Sequence, residues 1–286
     1  MITCLFCNNQ KYKNTAYEDT VFNNKVFKYV KCTSCGLVYV NPLPNNDDLI
    51  KMYPVEYQGE LVSTPSGCYD NLFKIIAKSG KFSSILDFGC GGGKFVIEAI
   101  IKNYKVTGVE FNPELVKNLK SNFQNADFYT TSDFFNQNKK FDIIFLSNII
   151  EHLINPLETM LMLKQKLNEN GIFVIEGPIE NNMNLTKLFR KSIFYIRKTI
   201  FNKQVTHTPT HVLYSNRKNQ EEFFKKIGLT TFYYKIDEIN WPFPMSFKEC
   251  NSLKKMLLFL IASVSVKFGK VIPSWGNVFL YIGKVN

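Results

Sequence analysis

Apolar residues along this chain recur at two periods, and the switches between them predict its elements. Tyr69 to Lys78 carries Leu72, Ile75 and Ile76 at helical spacing and leads into Ile85-Leu86, a short apolar run bounded by an acid and glycines that reads as a buried strand. A helix over 94–102, a strand closing at Glu110, a helix with Pro113 in its first turn and a strand over 127–132 follow. Leu185 to Phe201 repeats apolar residues at 185, 189, 193, 196 and 200 with basic residues between them, the pattern of an amphipathic basic helix. A helix over 220–227 capped by Gly228, a strand over 230–235, a helical segment over 246–268 and a strand over 277–282 complete the chain. Near the start, residues 21–27 read as two strands about an Asn-Asn turn and 37–40 as a third, stopped by Asn41-Pro-Leu-Pro44. A connecting helix and loop, with Tyr53 and Tyr57, then runs to Gly67.

The stretch Asp87-Phe-Gly89-Cys-Gly91-Gly-Gly93 sits where the first strand of the larger part ends. Glycine at every second position predicts a backbone turn that a ligand approaches closely. The spacing fits neither the dinucleotide turn, whose sixth position is Lys94 here, nor a P-loop. An acid before the first glycine suits an ammonium group. Glu110, ending the next strand, holds the position that accepts from ribose hydroxyls in nucleotide-binding α/β folds, and Phe111 beside it suits an adenine. Ribose plus ammonium points to S-adenosylmethionine.

On these residues the chain resembles the class I S-adenosylmethionine-dependent methyltransferases. Phe141 to Leu146 is similar to their fourth strand, Ile150-Glu151-His152-Leu-Ile-Asn-Pro156 to the segment opening the next helix, and Asn170 to Glu176 to their fifth strand. The resemblance implies a Rossmann-like α/β sheet with helices on both faces, with Asp87, Gly89, Gly91, Gly93, Glu110 and Phe111 on the cofactor and Ser147 and Asn148 around its methionine portion. Asp133 lies where the adenine amino group would be, or caps a helix. The absence of Asn-Pro-Pro-Tyr after Leu146 counts against methylation of nucleobase amino groups.

Seven cysteines, four of them in Cys4-x-x-Cys7 and Cys32-x-x-Cys35, fit a metal in a reducing compartment better than a disulfide framework. The four thiolates match a closed tetrahedral zinc site, structural rather than catalytic, with Asn8 and Gly36 free to take the positive φ of a knuckle. The expected organisation is a zinc ribbon over 1–45, connecting helices over 46–80, and an S-adenosylmethionine-binding domain over 81–286 with a basic lid at about 181–210. The N-terminus lacks a charged region followed by an apolar stretch, so the expectation is a cytoplasmic protein.

A net charge of +11 raises the question of nucleic acid, but only three of the 35 basic residues are arginine. Distribution says more: between Asn181 and Gln220 stand Lys187, Arg190, Lys191, Arg197, Lys198, Lys203, Arg217 and Lys218, with no acid. A lid of this charge suits a phosphate-bearing substrate and leaves peripheral contact with a membrane surface open.

Three histidines, His152, His207 and His211, are candidates for the proton of a hydroxyl acceptor. Zinc-ribbon methyltransferases of nucleotide-linked deoxysugars are similar over most of the chain, through the cysteine pairs, the stretch Cys35 to Pro42 and the segment Thr210-His211-Val-Leu-Tyr214-Ser215. The resemblance implies His211 as a catalytic base, while related sugar O-methyltransferases place a histidine at the position of His152. The family's glutamate before the histidine is Thr210 here and its tyrosine three before is Thr208, which favours oxygen over carbon as the acceptor. The expected reaction is methylation of a hydroxyl on a phosphate- or nucleotide-linked sugar in glycan or surface-polysaccharide synthesis, with no stable nucleic-acid partner. The alternative is an RNA methyltransferase holding a phosphate backbone with its ribbon and basic stretch. A non-catalytic scaffold is opposed by the intact Asp87, glycines and Glu110.

Overall fold

The computed structural model describes residues 3–54, 61–62, 64–189, 192, 196, 208–240, 246–272 and 274–285. Four N-terminal strands, β1 (Tyr12–Asn14), β2 (Thr20–Phe22), β3 (Lys25–Cys32) and β4 (Val38–Asn41), pair antiparallel around β3. Asn23 and Asn24, at φ 49° and 60°, make the tight turn between β2 and β3. Helix α1 (Asn46–Met52) follows, started by a capping box in which Asn45 and Asp48 exchange side-chain and backbone hydrogen bonds. Asp48 is buried and also accepts from Asn23 and Lys25, which ties α1 to the β2–β3 turn.

The central sheet is built from β5 (Ser84–Phe88), β6 (Lys105–Glu110), β7 (Ala126–Thr130), β8 (Phe141–Ser147), β9 (Leu167–Pro178), β11 (Leu229–Asp237) and β12 (Val278–Val285). Its order is β11-β12-β9-β8-β5-β6-β7, with β12 antiparallel to both neighbours. The helices α2 (Asp70–Ser79), α3 (Lys94–Ile101), α4 (Pro113–Asn122), α5 (Thr131–Phe135), α6 (Pro156–Gln165) and α7 (Arg217–Lys226) accompany it. The sheet is the expected Rossmann-like α/β arrangement. Near-continuous burial of β5 and β8 follows from cover on both faces. On one face Phe95 stacks on Phe145 at 3.8 Å between ring centroids, and on the other Phe224 stacks on Tyr281 at 4.0 Å.

The N-terminal sheet shares its core with this second face. Phe6 stacks on Phe223 of α7 at 4.1 Å, and the short strand β10 (Leu213–Tyr214) pairs with β4, so residues from far along the chain complete the small sheet. Of the basic segment, residues 185–189 are helical, with Lys187 buried and donating to Asn181. Arg190, Lys191, Arg197, Lys198, Lys203 and His207 lie outside the described residues. Two expectations change here: Lys187, counted among the basic residues of the lid, is buried in the packing, and Ile196, on the apolar side of the expected helix, is 46% exposed.

Candidate functional site

Reversal of strand order at β5, which has β6 on one side and β8 on the other, opens a crevice at the carboxyl ends of these strands. A cleft of about 570 Å³ occupies it. Gly89, Gly91 and Gly93 all take positive φ, at 83°, 49° and 84°. They do not share one purpose. A Cβ on Gly89 would run into the Ile149 side chain, and one on Gly93 would lie 2.9 Å from the ring of Phe123, so these two make room for the protein's own core. Gly89 and Gly91 line the cleft, whereas Gly93 is the N-cap of α3.

Three carboxylates gather under this turn. Glu110 lines the cleft and accepts from the backbone N–H groups of Gly91 at 3.0 Å, Phe111 at 2.6 Å and Asn112 at 3.3 Å. Burial nevertheless holds its carboxyl above the usual carboxylate range. Asp87 is 2% exposed and lies beneath the lining; burial, then the charges of Glu110 and Glu176, push its pKa up. Glu176, at the end of β9, is also raised by burial, against an accepted hydrogen bond from Ser147 at 2.9 Å and the nearby charge of Lys94. Such a concentration of buried negative charge is stabilised by a cation, and the ammonium and sulfonium groups of S-adenosylmethionine fit it. Phe111, Ser147 and Asn148 line the same cleft. Asp133 does not: it sits in the first turn of α5, hydrogen-bonded to the capping residue Thr130, and its neighbour Thr131 is the lining residue.

His152, which lines the cleft, meets His211 edge to face, with ring centroids 4.8 Å apart; His211 and its partner Glu180 stand behind His152 and are not among the lining residues. His152 ends a 3-10 turn after β8 and lines the cleft, its Nδ1 2.7 Å from the Thr210 carbonyl and 3.0 Å from the Tyr53 hydroxyl. Tyr53 itself donates to the Thr210 carbonyl at 2.7 Å. Burial, with the neighbouring His211, lowers the pKa of His152 to about 4. His211 Nδ1 lies 2.8 Å from Glu180 Oε1. Burial pulls the His211 pKa down, but the Glu180 hydrogen bond and charge outweigh it, and the net shift is upward. A proton on Nδ1 shared with Glu180 leaves the lone pair on Nε2. His211 is held in place by its neighbour: the Val212 N–H donates to the Glu151 carbonyl at 2.8 Å, and the Val212 carbonyl accepts from Val40 of β4 at 2.9 Å.

Cys4, Cys7, Cys32 and Cys35 converge near the N-terminus, with Sγ separations of 3.5 Å for Cys4 and Cys35 and 3.6 Å for Cys7 and Cys32. A disulfide needs about 2.05 Å, whereas sulfurs about 2.3 Å from a tetrahedral zinc lie roughly 3.7 Å apart. Asn8 and Gly36 turn the two knuckles at φ 63° and 77°. The Ser34 N–H points at Cys32 Sγ from 3.4 Å, a donor of the kind a thiolate requires. The donor set fits zinc.

Glu176 and Glu180 join these sites without having been singled out as site residues, and Tyr53 joins them from the connecting segment. Glu176 carried a signal, an acid closing an apolar strand like Glu110 before it. Glu180 stands in the loop after β9 and supplies the carboxylate that Thr210 lacks.

The model of a family described as a methyltransferase domain matches residues 64–232, more than half of the chain. The chain is 30% identical over 115 residues to the ubiquinone biosynthesis O-methyltransferase of Rickettsia prowazekii (strain Madrid E), covering 36% of this chain and 41% of that protein. It is 26% identical over 212 residues to the protein of the same name from Rickettsia typhi (strain ATCC VR-144 / Wilmington), covering 70% of this chain and 72% of that one. The chain thus spans less than half the length of the first relative. Among solved structures, Haemonchus contortus phosphoethanolamine N-methyltransferase 2, in complex with S-adenosyl-L-methionine, superposes with a TM-score of 0.51 at 15% identity, over 87% of this chain and 61% of that one. That likeness is one of fold. With the family match extending from before β5 into β11, across the whole glycine-turn crevice, the chain belongs to the methyltransferase-domain family.

Proposed function

We propose that this enzyme methylates a hydroxyl group of a small molecule, with His211 as the base and Glu180 orienting it. The observation that carries the reading is the His211–Glu180 contact of 2.8 Å next to His152, which itself lines the cleft. Glu110, Gly89, Gly91, Phe111, Ser147 and Asn148 would hold S-adenosylmethionine over the buried carboxyl groups of Asp87 and Glu176, and the bound cofactor would supply an electrophilic methyl group. As the methyl passed from sulfur to the acceptor oxygen, leaving a neutral thioether, His211 Nε2 would take the hydroxyl proton and Glu180 would stabilise the imidazolium that results. His152, neutral down to about pH 4, orients the acceptor by hydrogen bonding.

The acceptor we favour is a sugar hydroxyl, from the joint presence of the cysteine knuckles and the segment Thr210 to Ser215. Cys4, Cys7, Cys32 and Cys35 hold a structural zinc in this reading. A second reading, an aromatic hydroxyl, draws on the apolar side chains of Leu49, Phe135 and Ile149 in the cleft and on the names of the Rickettsia relatives. An RNA acceptor is not favoured, because the relatives' names point to a small molecule. Purified enzyme offered labelled S-adenosylmethionine with nucleotide sugars and with phenols separates the readings. Transfer to a sugar hydroxyl is the expected result; transfer to phenols alone would overturn it.

A further inference from the structure

Helix α8 (Leu253–Val271), between β11 and β12, turns an apolar stripe away from the protein. Leu253, Leu257, Leu260, Val264, Phe268 and Val271 are 81%, 54%, 52%, 46%, 46% and 79% exposed. Their spacing of four, three, four, four and three residues keeps them within roughly 80° of the helix circumference. The opposite side is the packed one, where Ala262 and Ser265 are buried and Ser265 donates to the buried Glu238 at 2.7 Å. A helix of this length carries the stripe for about 28 Å. Isolated exposed apolar residues need no explanation, but a continuous row does.

Charge decides what covers it. Lys254, Lys255, Lys267 and Lys270 are all exposed, and no acid occurs between Ser252 and Ile272. Around the helix Lys254 lies on one side of the stripe and Lys267 and Lys270 on the other. Among the described residues none of the four is in a salt bridge. A second copy packed on this face through a two-fold axis would bring lysines against lysines. The helix does not cross a bilayer: no helix among the described residues is long and apolar enough. An apolar stripe flanked by cations is instead what an anionic lipid surface accepts, apolar side chains entering the acyl boundary and lysines meeting the phosphates. We propose that α8 docks this enzyme in the plane of an anionic membrane surface.

The test is sedimentation of the full chain with vesicles of phosphatidylcholine alone or with about 30% phosphatidylglycerol, the anionic charge being the variable. Binding to the mixed vesicles, weakened at least about tenfold by raising salt to 1 M and by Leu257→Glu with Leu260→Glu or by Lys254→Glu with Lys267→Glu, is the expected result. These positions are exposed, and circular dichroism with unchanged methyl transfer to a soluble acceptor would show the variants folded. No binding to anionic vesicles, equal binding to phosphatidylcholine alone, or equal binding by the variants would overturn the proposal. So would a wild-type dimer in analytical ultracentrifugation that Leu257→Glu with Leu260→Glu dissociates, which would give the stripe to a second copy.

Discussion

The two ends of the cleft are built differently. At the glycine-turn end the chemistry comes from consecutive strand ends: Asp87 closes on β5, Glu110 ends β6 and Ser147 ends β8, and a neighbouring strand fixes each. At the histidine end it comes from segments far apart in the chain, Tyr53 after α1, His152 after β8, Glu180 after β9 and His211 before β10, and the N-terminal sheet helps to hold them. One end uses what the sheet provides to any nucleotide-binding α/β protein. The other depends on this chain's own additions, and so it is there that acceptor choice can differ while cofactor binding stays the same.

If the ends are separable, variants at one should leave the other intact. His211→Ala is expected to lower turnover by about 100- to 10,000-fold, the usual contribution of a general base, with S-adenosylmethionine affinity in calorimetry unchanged. A fall in affinity together with turnover would break the division. Metal removal is the next largest effect. Purified protein is expected to carry one zinc per chain by elemental analysis, and Cys35→Ser to lose it. Because β4 pairs with β10 two residues from His211, that loss shifts the base and lowers turnover by up to about 100-fold, the cost of an ångström-scale misplacement. Retained turnover in zinc-free protein would uncouple the N-terminal sheet from the site. From the other side, Glu110→Ala removes an acceptor of charge-assisted hydrogen bonds worth about 1.5–3 kcal/mol, so affinity for S-adenosylmethionine should fall roughly 10- to 100-fold. Unchanged affinity would remove Glu110 from the cofactor site.

The same contrast explains how much was legible in the sequence. Asp87, Gly91 and Glu110 lie within 24 residues of one another, and the strand-turn-helix rhythm around them announces their place. The four cysteines were legible for a similar reason, since two knuckles each declare half of a metal site. Glycine spacing overstated the ligand's share, because Gly89 and Gly93 also answer to Ile149 and Phe123, side chains brought in by folding. The choice for Asp133 between an adenine contact and a helix end depends on where α5 begins, and with α5 starting at Thr131 it is Thr131 that lines the cleft. Glu180 was hidden altogether. It meets His211 across 31 residues, and Tyr53 meets the Thr210 carbonyl across 157, so no local pattern connects them. The missing glutamate at Thr210 favoured oxygen over carbon as the acceptor, and a carboxylate from the loop after β9, Glu180, meets His211 from another direction.

The claim that His211 is the base is tested most directly by the pH dependence of methyl transfer in the wild type and in Glu180→Gln. A base must be neutral to act, so activity is present above its pKa and lost as pH falls through it. Glu180 holds the His211 pKa above the usual imidazole value of about 6.5. The wild-type acid limb should therefore lie above that value. Glu180→Gln removes the larger raising contributions and leaves burial, which lowers the pKa, opposed only by the smaller effect of the Glu151 charge, so the limb should move to lower pH. A limb near pH 4, where His152 titrates, unmoved by Glu180→Gln, would contradict the account and give the proton to His152.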